Sequence, residues 1–268
     1  MPAILCPSCN KLISSEEPRC IHCGQVRPGM FGLTTWFRKL GVQMDFPHLI
    51  TIACISLYVL ALLLDPGAIF QFRGMSFLAP SNDASFKVGM TGAYPVFAFG
   101  RWWTVITAIY LHGGLLHIGF NMMWVRQLGP VVEELYSPMR LFVIFTVAGI
   151  TGFIASAYMG SGFTLGASGS IFGLLAAAIV YGRRMGSSMF TQQFLKWAVI
   201  LFIFGLVFPG VDNWAHGGGF VGGYATAWLF AREGADRDNL ISYALAGACL
   251  LLTLFAFLRQ AMATLFNV

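Results

Sequence analysis

Long apolar runs alternate along the chain with short polar breaks. Runs of spanning or near-spanning length fall at roughly 48–64, 103–126, 140–158, 167–183, 195–211, 214–231 and 239–258. A helix needs about 20 residues to cross the hydrocarbon layer of a bilayer, within a range of about 17–25. The pattern therefore predicts an all-α membrane protein with seven transmembrane helices. The fourth and sixth runs are short and glycine-rich, so hydropathy supports them least. Segment 65–101 is broken by Pro, Gly, Asn and Asp and does not read as a span. It is expected to be a long ordered loop, and its many Phe and Met residues suggest a loop that dips into the membrane interface.

Composition agrees with this pattern. The chain is 57% hydrophobic and 10% charged, where a soluble domain carries about 25% charged residues. Such a chain has too little polar surface to stay in water, so the lipid bilayer is its first partner. Its net charge of +5 does not point to nucleic acid, because basic residues in a membrane protein mostly report topology. With the N-terminus placed in the cytoplasm, Lys11, Arg19, Arg27, Arg38, Lys39, Arg126, Arg140, Arg183, Arg184, Lys196, Arg232 and Arg237 lie inside. Arg73, Lys87, Arg101 and Arg259 lie outside, so the split is 12 against 4 of the 16 basic residues. This threefold excess predicts a cytoplasmic N-terminus, with loop 65–101 and the C-terminus on the far side. The first 30 residues hold no apolar stretch of the signal-peptide kind, so the first helix is expected to serve as its own insertion signal. The expected location is a prokaryotic cytoplasmic (inner) membrane, with the chain crossing it several times.

The polar start of the chain carries Cys6, Cys9, Cys20 and Cys23, two CxxC pairs with ten residues between them. Each CxxC turn presents two sulfurs to one ion, so the array suits a tetrahedral structural zinc with no open coordination position. Disulfides are disfavoured there, because the predicted topology puts the segment in a reducing compartment. So short a segment has almost no core and should fold only with its metal. His22 lies inside the second pair and reads as solvated. Cys54 and Cys249 sit in apolar runs and read as packed hydrophobes. The expected organisation is a zinc-ribbon-like four-cysteine knob over 1–30, a juxtamembrane linker over 31–47, and a transmembrane domain over 48–258.

Polar residues inside a bilayer are costly, which makes each one a functional candidate. The runs contain almost no Asp or Glu, but they hold His112, His117, Asn121, Ser168 and His216. His117 and Asn121 are four apart and share one helix face; helix–helix hydrogen bonding is the competing use of such a face. Ser168 lies in the stretch GASG at 166–169, just before the apolar run of the fourth helix. A serine there can be a simple N-cap. The helix N-terminus also offers free N–H groups and a positive dipole end, which suit a developing oxyanion. His216 precedes the glycine stretch at 217–219 and 222–223. Gly218/Gly222, Gly219/Gly223 and Gly169/Gly173 are small-xxx-small pairs that let helices touch backbone to backbone. Packed that way, the fourth and sixth runs would bring His216 within reach of Ser168. Serine needs an adjacent base, and a neutral imidazole is one. Asp212 lies four residues upstream of His216 and is expected at the membrane surface, so the expectation is a Ser–His dyad without a third carboxylate.

The stretch HGGLLHIGFN at 112–121, then GASG at 166–169, then AHGGGF at 215–220 resembles the rhomboid family in order and helix placement, over about residues 45–260. The resemblance implies a rhomboid-like six-helix bundle plus a C-terminal seventh transmembrane helix. It implies an intramembrane serine endopeptidase that cuts transmembrane segments of membrane-protein substrates, with Ser168 and His216 as catalytic dyad and no cofactor for catalysis. It further implies that His117 and Asn121 donate to the oxyanion, that Gly166 shapes the turn before Ser168, and that His112 lines the cavity. One stretch departs from the family. Where rhomboids usually carry an acidic or amide residue, any residue, Trp, then Arg, this chain reads Arg101-Trp102-Trp103-Thr104, so the tryptophan matches at Trp103 and the flanking charged pair is replaced. A zinc metalloprotease would need HExxH and an aspartyl intramembrane protease two carboxylates within spans, and neither pattern is present. Glycine-broken helices also occur in transporters, but a transporter does not call for Ser and His at these motifs. The alternative that remains is a catalytically inactive rhomboid-like protein binding membrane clients; such proteins lack Ser or His at the dyad, and both are present here.

Overall fold

The computed structural model describes residues 3–6, 9–14, 17, 19–24, 45–69, 78–232 and 238–266. The linker expected over 31–47, Arg73 in the long loop and Arg237 lie outside the described residues, apart from 45–47. At the start of the chain, β1 (Ala3–Leu5) pairs antiparallel with β2 (Leu12–Ser14), with Leu5 opposite Leu12.

Seven helices of 17 residues or more follow among the described residues. The first, α1 (Phe46–Leu64), is started by the Asp45 carboxylate, which accepts from the His48 N–H at 2.9 Å, with Pro47 in the first turn. The long loop after it is more regular than its composition suggests. It contains α2 (Asn82–Val88), capped at its start by the Ser81 side chain and closed by Gly89 in the left-handed region at φ +113°. Asp83 in the first turn and Lys87 in the last complement the helix dipole.

The single helix expected over 103–126 is in fact broken. A short helix over Thr104–Tyr110 is followed, after a sharp turn, by α3 (Leu115–Tyr136), and the two are bent by 89°. Gly113 and Gly114 lie in the break, and glycine in a helix interior costs about 1 kcal/mol relative to alanine. The break sets His112 in the connector and His117 in the first turn of the new helix. At its other end α3 continues past 126 to Tyr136, carrying Pro130 within it.

The remaining helices are α4 (Pro138–Tyr158), α5 (Ser168–Arg184), α6 (Ser188–Val207), α7 (Asn213–Arg232) and α8 (Leu240–Phe266). Four helices are long and apolar enough to cross a membrane (α1, α4, α6 and α8), and the bent pair makes five. α5 and α7, the two glycine-rich runs, fall short of that test. α5 is short, at 17 residues, and five glycines make α7 less apolar. α5 packs against α3, α4, α6 and α7 and is buried from Gly169 to Val180 without interruption, so it needs little apolar surface for lipid. α6 and α8 instead turn rows of Leu, Ile and Phe outward, such as Leu251, Leu254 and Leu258 of α8. The chain is thus an all-α bundle of a multi-pass membrane protein, with α5 at its centre.

Backbone contact between glycines builds that centre. A Cβ on Gly223 would lie 2.6 Å from the Gly173 oxygen, and one on Gly219 would lie 2.6 Å from the Gly169 carbonyl carbon. The other glycine face of α7 meets α4, where a Cβ on Gly218 would lie 2.7 Å from the Thr151 oxygen. The two staggered glycine pairs of α7 therefore serve two different neighbours, α5 and α4.

Candidate active site

Ser168 opens α5, preceded by Ala167 at the N-cap position. His216 sits in the first turn of α7 and is 5% exposed. The glycine contact between these helices brings the side chains together, with His216 Nε2 2.9 Å from Ser168 Oγ. Two residues that the sequence reading did not single out hold the imidazole. Phe172, one turn after Ser168, stacks on the His216 ring at 4.4 Å between centroids and 18° between planes. Asn213, one turn before His216, places its Oδ1 3.0 Å from His216 Nδ1. Both are legible as spacing: Phe172 is i+4 from Ser168 and Asn213 is i−3 from His216, each on the face of the residue it serves.

The Asn213 contact fixes the tautomer. An amide oxygen only accepts, so with Oδ1 toward the ring, Nδ1 carries the proton and Nε2 keeps its lone pair for the Ser168 hydroxyl. Asp212 does not take part in that contact. It lies just ahead of α7, where its carboxylate accepts from the Ala215 N–H at 3.1 Å and from the Ser156 hydroxyl. It secures the start of the helix that carries His216.

On the other side of the serine, the Gly166 backbone adopts φ +132°, and a Cβ there would lie 2.7 Å from His117 Nε2. Only glycine fits both the conformation and the neighbour. His117 Nδ1 accepts from the Gly113 N–H at 3.3 Å, which leaves the proton of a neutral ring on Nε2, the atom facing Gly166. Asn121 is buried, and its Nδ2 donates to the His117 carbonyl at 2.8 Å. His112 is buried, and its ring meets that of His117 edge-on at 5.1 Å. The structure thus gathers Ser168 with His216, and His117 with Gly166, Asn121 and His112. The connector before Ser168 is held by Gly166 N–H to Ala108 O at 2.9 Å, and by Thr91 and Thr164 pairing backbone to backbone at 3.1 and 2.7 Å.

The sequence that builds this site has relatives among known proteins. A family model described as the Rhomboid domain matches residues 100–233, half of the 268-residue chain. The chain belongs to the rhomboid family. It is 36% identical over 151 residues to "Rhomboid protease GluP" of Bacillus subtilis, covering 54% of this chain and 30% of that protein. It is 28% identical over 181 residues to "RHOMBOID-like protein 1" of Arabidopsis thaliana, covering 65% and 46%. To "Rhomboid-type serine protease 2" of Emericella nidulans it is 32% identical over 140 residues, covering 50% and 28%. The chain spans less than half the length of each of these three relatives, and they come from a bacterium, a plant and a fungus.

Where this rhomboid departs from its family in the first loop, the residues present have other partners. Trp103 Nε1 donates to Gln260 Oε1 of α8 at 2.9 Å. The Arg101 guanidinium lies 4.6 Å from the Phe86 ring centroid. The Thr104 hydroxyl bonds to the Arg101 carbonyl at 2.6 Å and contacts the Thr91 hydroxyl at 2.9 Å.

The second candidate site is the cysteine cluster. The sulfurs of Cys6, Cys9, Cys20 and Cys23 all lie within 4.8 Å of one another. Cys6 and Cys23 are 3.7 Å apart and Cys9 and Cys20 3.6 Å apart, sulfur to sulfur. A disulfide requires about 2.05 Å, whereas four thiolates at about 2.3 Å around a tetrahedral zinc stand about 3.8 Å apart. The spacing fits a metal. Cys54 and Cys249 are buried and unbridged in the bundle.

Proposed function

We propose that this chain is an intramembrane serine endopeptidase that hydrolyses peptide bonds in the transmembrane segments of other membrane proteins. The observation that carries this reading is the 2.9 Å contact between Ser168 Oγ and His216 Nε2 inside the bundle, with the serine at a helix N-terminus. Family membership and relatives named as proteases support it. In this reading His216 takes the Ser168 proton as Oγ attacks the scissile carbonyl. Asn213 keeps the proton on Nδ1, and Phe172 holds the ring plane, so His216 accepts on the correct nitrogen. The tetrahedral oxyanion forms beside the free N–H groups at the start of α5, with His117 Nε2–H and Asn121 as further donors. His216 then passes its proton to the leaving amine, and a water molecule releases the acyl group from Ser168. None of these steps needs a cofactor.

The four cysteines would hold one structural zinc, whose binding would fold the short N-terminal hairpin. The proposed organisation keeps a knob over 1–30, a linker over 31–47 and a transmembrane domain over 48–258, with the N-terminus in the cytoplasm as the basic residues suggest.

The test is cleavage of a single-span reporter protein reconstituted with the full chain in lipid vesicles. Ser168→Ala and His216→Ala should each lower the rate by more than about a thousandfold. A folded wild-type chain that neither cuts the reporter nor reacts with a serine-directed probe would replace this reading with a client-binding one.

A further inference from the structure

We propose that Gln260 of α8 is a positioning residue for the Ser168 site: it latches the first loop to α8 and so holds the segment around Thr91 that orders the connector to Ser168. The proposal rests on the serine-protease reading for what is positioned, but its geometry stands independently of that reading.

Gln260 is 2% exposed, although it lies in a helix whose other faces carry leucine and phenylalanine. Its amide is fully engaged with groups far away in sequence. Oε1 accepts from Trp103 Nε1 at 2.9 Å. Nε2 donates to the Phe86 and Lys87 carbonyls, each at 3.0 Å. One turn further on, the Thr264 hydroxyl donates to the same Lys87 carbonyl at 2.8 Å. Residues 86 and 87 form the last turn of α2, where carbonyls lack a partner within the helix; that of Phe86 also accepts from the Gly89 cap N–H at 3.1 Å. A buried amide that satisfies both its own atoms and these carbonyls specifies one register between α8 and the loop, because sliding the two past each other would leave several polar groups unpaired in an apolar setting.

From α2 the restraint runs directly to the site. Gly89 closes α2, and its carbonyl accepts from the Thr107 hydroxyl at 2.7 Å. Two residues on, Thr91 pairs with Thr164 through both backbone bonds, and Ala93 N–H donates to the Ser161 carbonyl at 2.7 Å. Thr164 lies two residues before Gly166 and four before Ser168. The last helix, which contributes no side chain to the dyad, thereby fixes the loop that fixes the connector.

The experiment uses the full chain in lipid vesicles, comparing wild type with Gln260→Leu, Thr264→Val and Leu258→Ala. Leu258 is 65% exposed on α8 and serves as a control. Backbone hydrogen exchange is followed by mass spectrometry on peptides covering 86–94 and 160–167, and on the cores of α5 and α7. Gln260→Leu should speed exchange at the Thr91 and Thr164 amides by roughly ten- to a hundredfold and leave α5 and α7 within about twofold. Thr264→Val should do the same to a smaller degree. Turnover of the reporter should fall roughly tenfold or more in kcat for Gln260→Leu, with KM little changed, since alignment is lost and not binding. Leu258→Ala should change neither readout. Unchanged exchange at 86–94 and 160–167 would overturn the proposal. So would acceleration spread evenly over the whole bundle, which is the mark of general destabilisation. If the wild-type chain neither cuts nor reacts with a serine probe, it is the protease reading that fails, and the exchange results alone decide the latch.

Discussion

Gly219→Ala tests whether backbone contact between α5 and α7 sets the dyad. An added Cβ at residue 219 would lie 2.6 Å from the Gly169 carbonyl carbon and collide with the Gly169 carbonyl oxygen. Carbon atoms rest about 3.5–4.0 Å apart, and the obstacle is main chain, so no side chain can swing away. The helices must part by about 1 Å. His216 lies one turn earlier on the same helix, and a shift of that size would stretch its 2.9 Å contact with Ser168 Oγ beyond hydrogen-bond range. A misplacement of about 1 Å can cost on the order of a hundredfold in rate, while overpacking of this kind costs about 1–3 kcal/mol in stability. Gly217→Ala is the matched control, since a Cβ there meets nothing within 4 Å. The assay measures kcat/KM on a membrane-embedded reporter together with a thermal melt, well below the melting temperature of both variants. Gly219→Ala should lose roughly a hundredfold in activity, and Gly217→Ala should stay within about threefold of wild type. Equal activities for the two variants would refute the reasoning that this glycine contact places His216.

Other outcomes follow from the same geometry. Asn213→Ala removes the hydrogen bond that holds His216 Nδ1, and a neutral bond of about 1–1.5 kcal/mol corresponds to roughly a tenfold lower kcat; loss as complete as for His216→Ala would show that Asn213 does more than orient. Gly166→Ala forces a side chain into φ +132° and against His117, so it should lower activity by about ten- to a hundredfold and stability by about 1–3 kcal/mol, read by kinetics and melting. Metal analysis of purified full-length chain should find one zinc per molecule, lost in Cys6→Ser with Cys20→Ser, while serine-probe labelling of the bundle persists.

Much of the bundle is legible in the sequence because the bilayer imposes a length on each span and a cost on each polar residue. Seven apolar runs correspond to seven long helices, and the glycine pairs at 169/173, 218/222 and 219/223 are where α4, α5 and α7 touch. The break at Gly113–Gly114 was harder to see. Apolar residues continue through 103–126, so hydropathy reads one helix where the backbone turns by 89°. Loop 65–101 hid α2, because a seven-residue helix is marked only by its caps, Ser81 and Gly89. Asp212 is the one charged residue near His216 in sequence, and its expected place at the membrane surface leaves a dyad without a carboxylate. Asn213, neutral and one position later, is the residue that meets the ring, because the helix begins there and leaves Asp212 outside it. Gln260 was invisible for a different reason: its loop partners lie 157 to 174 residues away, and no local pattern records them.

The most direct test of the account is to treat the full chain in lipid vesicles with a fluorophosphonate probe and map the adduct by mass spectrometry. A single adduct is expected on Ser168, formed in wild type and abolished in His216→Ala, because only a serine with an adjacent base is nucleophilic enough to react. A folded wild-type chain that stays unlabelled at Ser168, or one labelled equally well without His216, would contradict it.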